Sequence, residues 1–242
     1  MNYANIQVLL RPSKLILFDI DGTLTRSHNG FIPFNEAILK TFGIPGDIRT
    51  VIPDGNTDPV ILEEIFAAAR LKVEVTKENW EGFVRNLKQS YSRAILDGRT
   101  VVKPLPGVLE LVRELTAIEE FSQGIVTGNL EITAKLKLEA AGLAPYLSLG
   151  AYGSDSRDRT ELPGIAKERW EKKMGSLIAS DNCVIVGDTP KDLEAARKNH
   201  MKCLLVGTGR YPVEELAFFQ PDACLSDLTQ TKASVETLMK LF

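Results

Sequence analysis

The chain has 242 residues, 44% of them apolar and 25% charged, with 29 basic against 32 acidic side chains and a net charge of −3. That is enough chain to bury a core, as one large α/β domain or as two unequal ones. The basic residues are scattered and no run of like charge stands out, which argues against a nucleic-acid partner, and no segment approaches a membrane span. The apolar stretch at Val8 and Leu9 is too short for the core of a signal peptide. Cys183, Cys203 and Cys224 are lone thiols without CxxC spacing, read as reduced small apolar residues in a reducing, cytoplasmic setting.

In chain order, the first clear element is a strand from Lys14 to Phe18 (KLILF) that runs into Asp19. From Thr25 to Val101 no core strand is apparent. Helical patterns fill the interval instead: one opens at Asp58-Pro59, with Asp58 read as the N-cap and proline at the first helical position. Thr76 can cap another, along which Trp80, Phe83, Val84, Leu87, Tyr91 and Ile95 recur at helical spacing. The segment is too long for a crossover between neighbouring strands, so it is expected to be a helical insertion, with Pro104 and Pro106 marking the return. A helix from Gly107 to Leu115 then precedes a strand from Gln123 to Val126, which ends in Thr127-Gly128-Asn129. A helix from Ile132 to Ala141 is stopped by Gly142. Cys183 to Val186 forms a strand ending in Gly187-Asp188, followed by a helix from Pro190. Cys203 to Val206 ends in Gly207-Thr208-Gly209, which lacks the rest of a dinucleotide fingerprint and is read as a loop. After the helix, Asn199 or His200 is expected to turn left-handed.

Apolar strands alternating with helices predict a parallel sheet covered on both faces, with the ligand site at the strands' carboxyl ends. Asp19, Thr127 and Asp188 stand at three such ends. Alternation points Asp19 and Asp21 to one side, and Gly22 permits a sharp exit from the strand. Carboxylates so close repel, so a hard cation with oxygen ligands is the expected compensation. Asp192, in the first turn of the helix from Pro190, is favourable there in any case and is also a candidate for the metal shell.

LILFDIDGTLT resembles the first motif of the haloacid dehalogenase-like (HAD) superfamily, in which the first Asp is the nucleophile and the second the general acid/base. Val126-Thr127-Gly128-Asn129 is similar to the second motif and Val186-Gly187-Asp188-Thr189-Pro190-Lys191-Asp192 to the fourth. The helical insertion lies where one branch of the family carries its cap. The resemblance implies a Rossmann-like core of residues 1–26 and 101–242 and a helical cap of residues 27–100. It implies Asp19 as nucleophile and Asp21 as acid/base. Mg²⁺ would be held by Asp19, Asp188 and the carbonyl of Asp21, with Asp192 nearby, and Thr127, Gly128 and Asn129 would sit on phosphate oxygens.

The third-motif cation departs from the usual lysine before proline. Counting back from Ala166 selects Arg157, a D-R-x-E-L variant selects Arg159 ahead of a helix that Thr160 could cap, and Lys167 ranks last. Gly55-Asn56-Thr57-Asp58 resembles the G-x-T-D stretch of capped relatives, with Asn56 the candidate for touching substrate. His28 is expected to be a solvated hinge residue. The implied activity is hydrolysis of a small phosphorylated metabolite, similar to phosphoglycolate phosphatases. A sugar phosphomutase shares the same machinery and stands as the alternative. A phospho-accepting or metal-binding non-enzymatic module is the alternative from another class. A dehalogenase would not need the acid/base at Asp21.

Overall fold

The computed structural model describes residues 12–242; the apolar stretch at Val8 and Leu9 lies outside them. Six parallel strands form the main sheet: β1 (Lys14–Phe18), β4 (Phe121–Thr127), β5 (Gly150–Tyr152), β6 (Cys183–Gly187), β7 (Lys202–Val206) and β8 (Ala223–Leu225). Their order across the sheet is β5-β4-β1-β6-β7-β8. The first strand is therefore central: Leu15 lies beside Ser122 of β4 on one side and Cys183 of β6 on the other.

Strand alternation divides the core between the two faces. Ile16 and Phe18 pack with Leu111 and Leu115 of α4 (Val108–Thr116), Ala134 and Leu138 of α5 (Glu131–Ala140), and Leu238 of α9 (Thr231–Leu241). Leu15 and Leu17 face Leu162, Ala166 and Trp170 of α6 (Leu162–Met174), Leu193 of α7 (Pro190–Lys198), and Leu216 of α8 (Val213–Ala217). Each buried leucine or isoleucine among these contributes roughly 1.5–3 kcal/mol of transfer free energy. A sheet covered on both faces has no wet side, which is why KLILF and CVIV read as continuous apolar runs.

The interval between β1 and β4 builds a second apolar cluster. Helices α1 (Phe31–Phe42), α2 (Asp58–Ala68) and α3 (Lys77–Leu96) bury Phe34, Ile38, Ile61, Leu62, Ile65, Phe66, Phe83 and Leu87 against one another. Phe34 meets Phe83 edge-on at 5.4 Å between ring centroids. Two short strands flank the helices, β2 (Thr25–His28) and β3 (Val101–Pro104), and they pair antiparallel with each other, Thr25 opposite Pro104 and His28 opposite Val101. The insertion thus enters and leaves through one two-stranded stem, on which His28 is exposed. Leu130, Ile132 and Leu136 at the start of α5 also pack on the inserted cluster, so α5 lies between the two bodies.

Several local expectations are corrected. Thr57, with extended backbone, is the N-cap of α2, and Asp58 is already helical; its carboxylate turns away to accept from Leu130 N of α5 at 2.8 Å. Asp158, not Thr160, caps the short turn ahead of α6, accepting from Thr160 N. Thr189 opens α7, with Asp192 completing a capping box, so Asp188 is released from capping. Thr76 does cap α3, and His200 takes the left-handed conformation with φ 55°. Cys183 and Cys203 are buried free thiols, and Cys224 is half-buried and free. Among the described residues no helix is long and apolar enough to cross a membrane.

Candidate active site

β1, β4 and β6 are adjacent and parallel, so their carboxyl ends bring Asp19, Thr127 and Asp188 to one edge of the sheet. All three are buried. They line a cavity of about 560 Å³ with Asp21, Gly128, Asn129 and Arg159, roofed by residues of the insertion such as Phe31, Phe34, Ile48 and Tyr91.

The acidic side of the cavity is tightly built. Asp19, Asp188 and Asp192 each offer a carboxylate oxygen within 4.8 Å of the others. Thr23 Oγ1 donates to Asp188 Oδ1 at 2.8 Å. Asp188 Oδ2 sits in a cradle made by two glycines: a Cβ on Gly22 would lie 2.4 Å from it and one on Gly209 1.7 Å. Burial, with Asp19 and Asp192 close by, pushes the Asp188 carboxyl up to about 9, and burial lifts Asp19 to about 6 against the pull of Arg159. Negative charge is thus concentrated beyond what the protein's own cations balance. A buried all-oxygen donor set with that imbalance fits a hard divalent cation.

Arg159 supplies the site's buried guanidinium. Its Nη2 lies 3.2 Å from Asp19 Oδ1 and 2.5 Å from Asp192 Oδ1. The other oxygen of Asp192 accepts from Thr189 N at 3.0 Å and Thr189 Oγ1 at 2.7 Å. Asp192 therefore stands behind the cavity wall, orienting Arg159 and capping α7 with the same carboxylate. Arg159 Nε is buried and lacks a hydrogen-bond partner among the described residues.

The remaining candidates separate clearly. Arg157 is exposed, ion-paired with Glu63 of α2, and does not line the cavity. Its place in the chain turns its side chain outward, two residues from the buried Arg159. Lys167 pairs with Glu171 one turn along α6 and also lies off the cavity. Asn56 borders the cavity, but its carboxamide is held by Glu64, at 3.2 and 3.1 Å, and by Lys191. The Asp21 carboxylate is not part of the cluster of Asp19, Asp188 and Asp192 and is engaged elsewhere. Its Oδ2 accepts from Asn129 Nδ2 at 2.7 Å and from Lys137 Nζ at 2.6 Å. Asn129 also donates to Thr127 Oγ1 at 2.8 Å. The buried Lys137 is the component that sequence reasoning missed.

Gly128 is where the insertion meets the sheet edge. Its carbonyl accepts from Asp58 N at 2.8 Å, and a Cβ there would lie 1.9 Å from the carbonyl oxygen of Asn56.

The family model for haloacid dehalogenase-like hydrolases matches residues 13–200, which include every strand end just described. The chain belongs to that family. The probable phosphatase IndB of Dickeya dadantii is 26% identical over 94% of this chain and 95% of its own length. A phosphoglycolate phosphatase of Photorhabdus laumondii is 25% identical over 94% of each chain. The crystal structure of a hydrolase from Pseudomonas syringae has the same fold, with a TM-score of 0.67 at 24% identity over 92% of this chain and 98% of that one. This HAD-family enzyme is a phosphatase.

Proposed function

We propose that this phosphatase cleaves small phosphomonoesters with Mg²⁺ through an aspartyl-phosphate on Asp19. The observation that carries this reading is the place of Asp19, buried at the end of β1 between the Arg159 guanidinium and the Asp188 carboxylate. Asp19, Asp188 and the carbonyl of Asp21 would hold the cation, which when bound neutralises the repulsion between the nucleophile and the roughly two negative charges of the phosphoryl group.

One oxygen of Asp19 attacks phosphorus, and the bond to the ester oxygen breaks. Asp21 gives its proton to that leaving oxygen, then takes a proton from the water that attacks the aspartyl-phosphate, and inorganic phosphate leaves with Asp19 restored. Arg159, with Nε unsatisfied, and Thr127 with the amides of Gly128 and Asn129 are suited to the phosphoryl oxygens. Asp192 holds Arg159 in place rather than touching substrate.

The cavity's size suits a small metabolite, and the Photorhabdus relative directs attention to phosphoglycolate-like substrates. Residues 27–100 act as the cap that excludes water, closed by the seam of Asp58 N on Gly128 O, Thr57 Oγ1 on Arg157 O at 2.9 Å, and Arg210 on Asp54 at 3.5 Å. The test is phosphate release from phosphorylated metabolites in magnesium and in chelator, with Asp19→Asn as control. Release that needs magnesium and vanishes in Asp19→Asn is expected. Normal turnover of Asp19→Asn refutes the reading, and a phosphate moved within the substrate rather than released would identify a mutase.

A further inference from the structure

Lys137 is an unusual residue to bury. It lies in α5, its side chain only 6% exposed, and an ammonium removed from water costs several kcal/mol unless it is paired and hydrogen-bonded. Its partners are specific. Nζ donates to Asp21 Oδ2 at 2.6 Å and to Asn129 Oδ1 at 2.7 Å, and lies 5.7 Å from the ring centroid of Tyr91 on α3. Asn129 donates to the same Oδ2 at 2.7 Å. Both donors converge on one oxygen of Asp21, while among the described residues Oδ1 has no hydrogen-bond partner. The base of this arrangement is stiff. Asp58 of the insertion accepts from Leu130 N, fixing the start of α5, and Asn129 is braced on Thr127 at the end of β4.

We propose that Lys137 is a positioning residue that, together with Asn129, clamps Oδ2 of Asp21 and presents Oδ1 to the leaving-group oxygen. The inference rests on reading Asp21 as the group that moves the proton. Oδ2 can accept two hydrogen bonds whether Asp21 is a carboxylate or a neutral acid, so the clamp survives each transfer and the travelling proton is confined to Oδ1. As the phosphorus–oxygen bond breaks, that proton passes to the ester oxygen and Asp21 is left ionised beside the ammonium. Without the clamp, a side chain 44% exposed is free to rotate toward solvent. Tyr91 extends the contact to the insertion, so the lysine touches the core and the inserted helices at once.

The test exploits the leaving group. An alkyl phosphate such as glycerol phosphate needs its departing oxygen protonated, whereas p-nitrophenyl phosphate releases a stabilised phenolate that does not. kcat/KM reports the steps through formation of the aspartyl-phosphate, so the contrast appears there and not in later water attack. Lys137→Met, Lys137→Arg and Asp21→Asn are compared on both substrates in saturating magnesium. The expected result is that Lys137→Met loses on the order of 10²-fold on the alkyl phosphate and only a few-fold on the aryl one, with Lys137→Arg partly restoring the difference. Asp21→Asn should show the same contrast in larger measure. Equal losses on both substrates, or a rise in KM alone, would overturn the role of Lys137 while Asp21→Asn still discriminates. An Asp21→Asn enzyme that shows no contrast would bring down the reading of Asp21 and the clamp with it. If Lys137→Met fails to fold by circular dichroism, Lys137→Gln replaces it, and the same contrast against Lys137→Arg decides.

Discussion

Replacing Arg159 with methionine removes the cation from between two buried carboxylates. Its guanidinium is 3.2 Å from Asp19 and 2.5 Å from Asp192, and all three side chains are at most 7% exposed. At an effective dielectric of about 20, two unit charges at the longer separation attract by roughly 5 kcal/mol. Desolvation offsets part of that, and removing one partner of a buried pair typically costs about 3–5 kcal/mol. For a chain of this size the melting temperature should fall by roughly 6–20 °C. Turnover should fall by about 10²- to 10³-fold, because the phosphoryl group loses a fixed donor and Asp19, already lifted to about 6, is pushed further toward its inert protonated form. Lysine at the same position keeps the charge but not the rigid guanidinium whose Nη2 meets both Asp19 and Asp192, so Arg159→Lys should fall between the two. Arg157→Ala and Lys167→Ala serve as comparisons: each removes an exposed or half-buried pair with glutamate, worth at most about 1 kcal/mol, and each should leave kcat/KM unchanged. Differential scanning fluorimetry and steady-state phosphate release measure both effects. Normal turnover and melting in Arg159→Met, or collapse of either comparison variant, refutes the assignment.

Two further outcomes follow from the same geometry. In chelator, the Asp188 carboxyl, pushed up to about 9, keeps a proton in the folded protein that the unfolded chain has released above about pH 4. That contribution to stability is fully present below the unfolded value and is lost as pH rises toward 9, so this group should lower melting in chelator progressively from about pH 4 to pH 9, and magnesium, which displaces the proton, should raise it more at the alkaline end; a chelated protein that melts higher as pH rises from about 6 to 9 contradicts this. Gly128→Ala puts a Cβ 1.9 Å from the carbonyl oxygen of Asn56 and should force the insertion off the sheet edge, at a cost of about 1–3 kcal/mol, with a lower kcat/KM and faster proteolysis within residues 27–100; unchanged proteolysis and kinetics would show that the seam tolerates the methyl group.

The strands that carry the chemistry were legible because their signal is local. KLILF and CVIV are uninterrupted apolar runs ending in aspartate, and adjacency in a parallel sheet follows from the fold class. β5 and β8 were not legible, because three residues are too few to show a period. β2 reads TRSH, polar and unremarkable, and becomes a strand only because VVKP of β3 returns beside it from far along the chain. Arg159 and Arg157 are separated by a single residue, and which of them faces inward is decided by the turn that Asp158 caps. Lys137 sits in AKLKLEA, where a lysine ordinarily reads as solvated. Only the packing of α3 against α5 buries it. One sequence signal was available: Lys137 lies two turns beyond Asn129, on the same face as the buried Thr133 and Ala134.

The central position of β1 has a consequence for how the protein is made. The ribosome delivers KLILF first, yet its neighbours on the sheet, beginning at Phe121 and Cys183, emerge only after the whole insertion has been synthesised. Leu15, Ile16, Leu17 and Phe18 are all fully buried in the finished molecule, so they wait as an unpaired, sticky segment in the nascent chain. The three inserted helices carry an apolar cluster of their own and can collapse while that wait lasts, which makes them the first part of the enzyme able to take shape during translation. The catalytic edge, assembled from strands drawn from distant points of the chain, can form only once β6 has emerged.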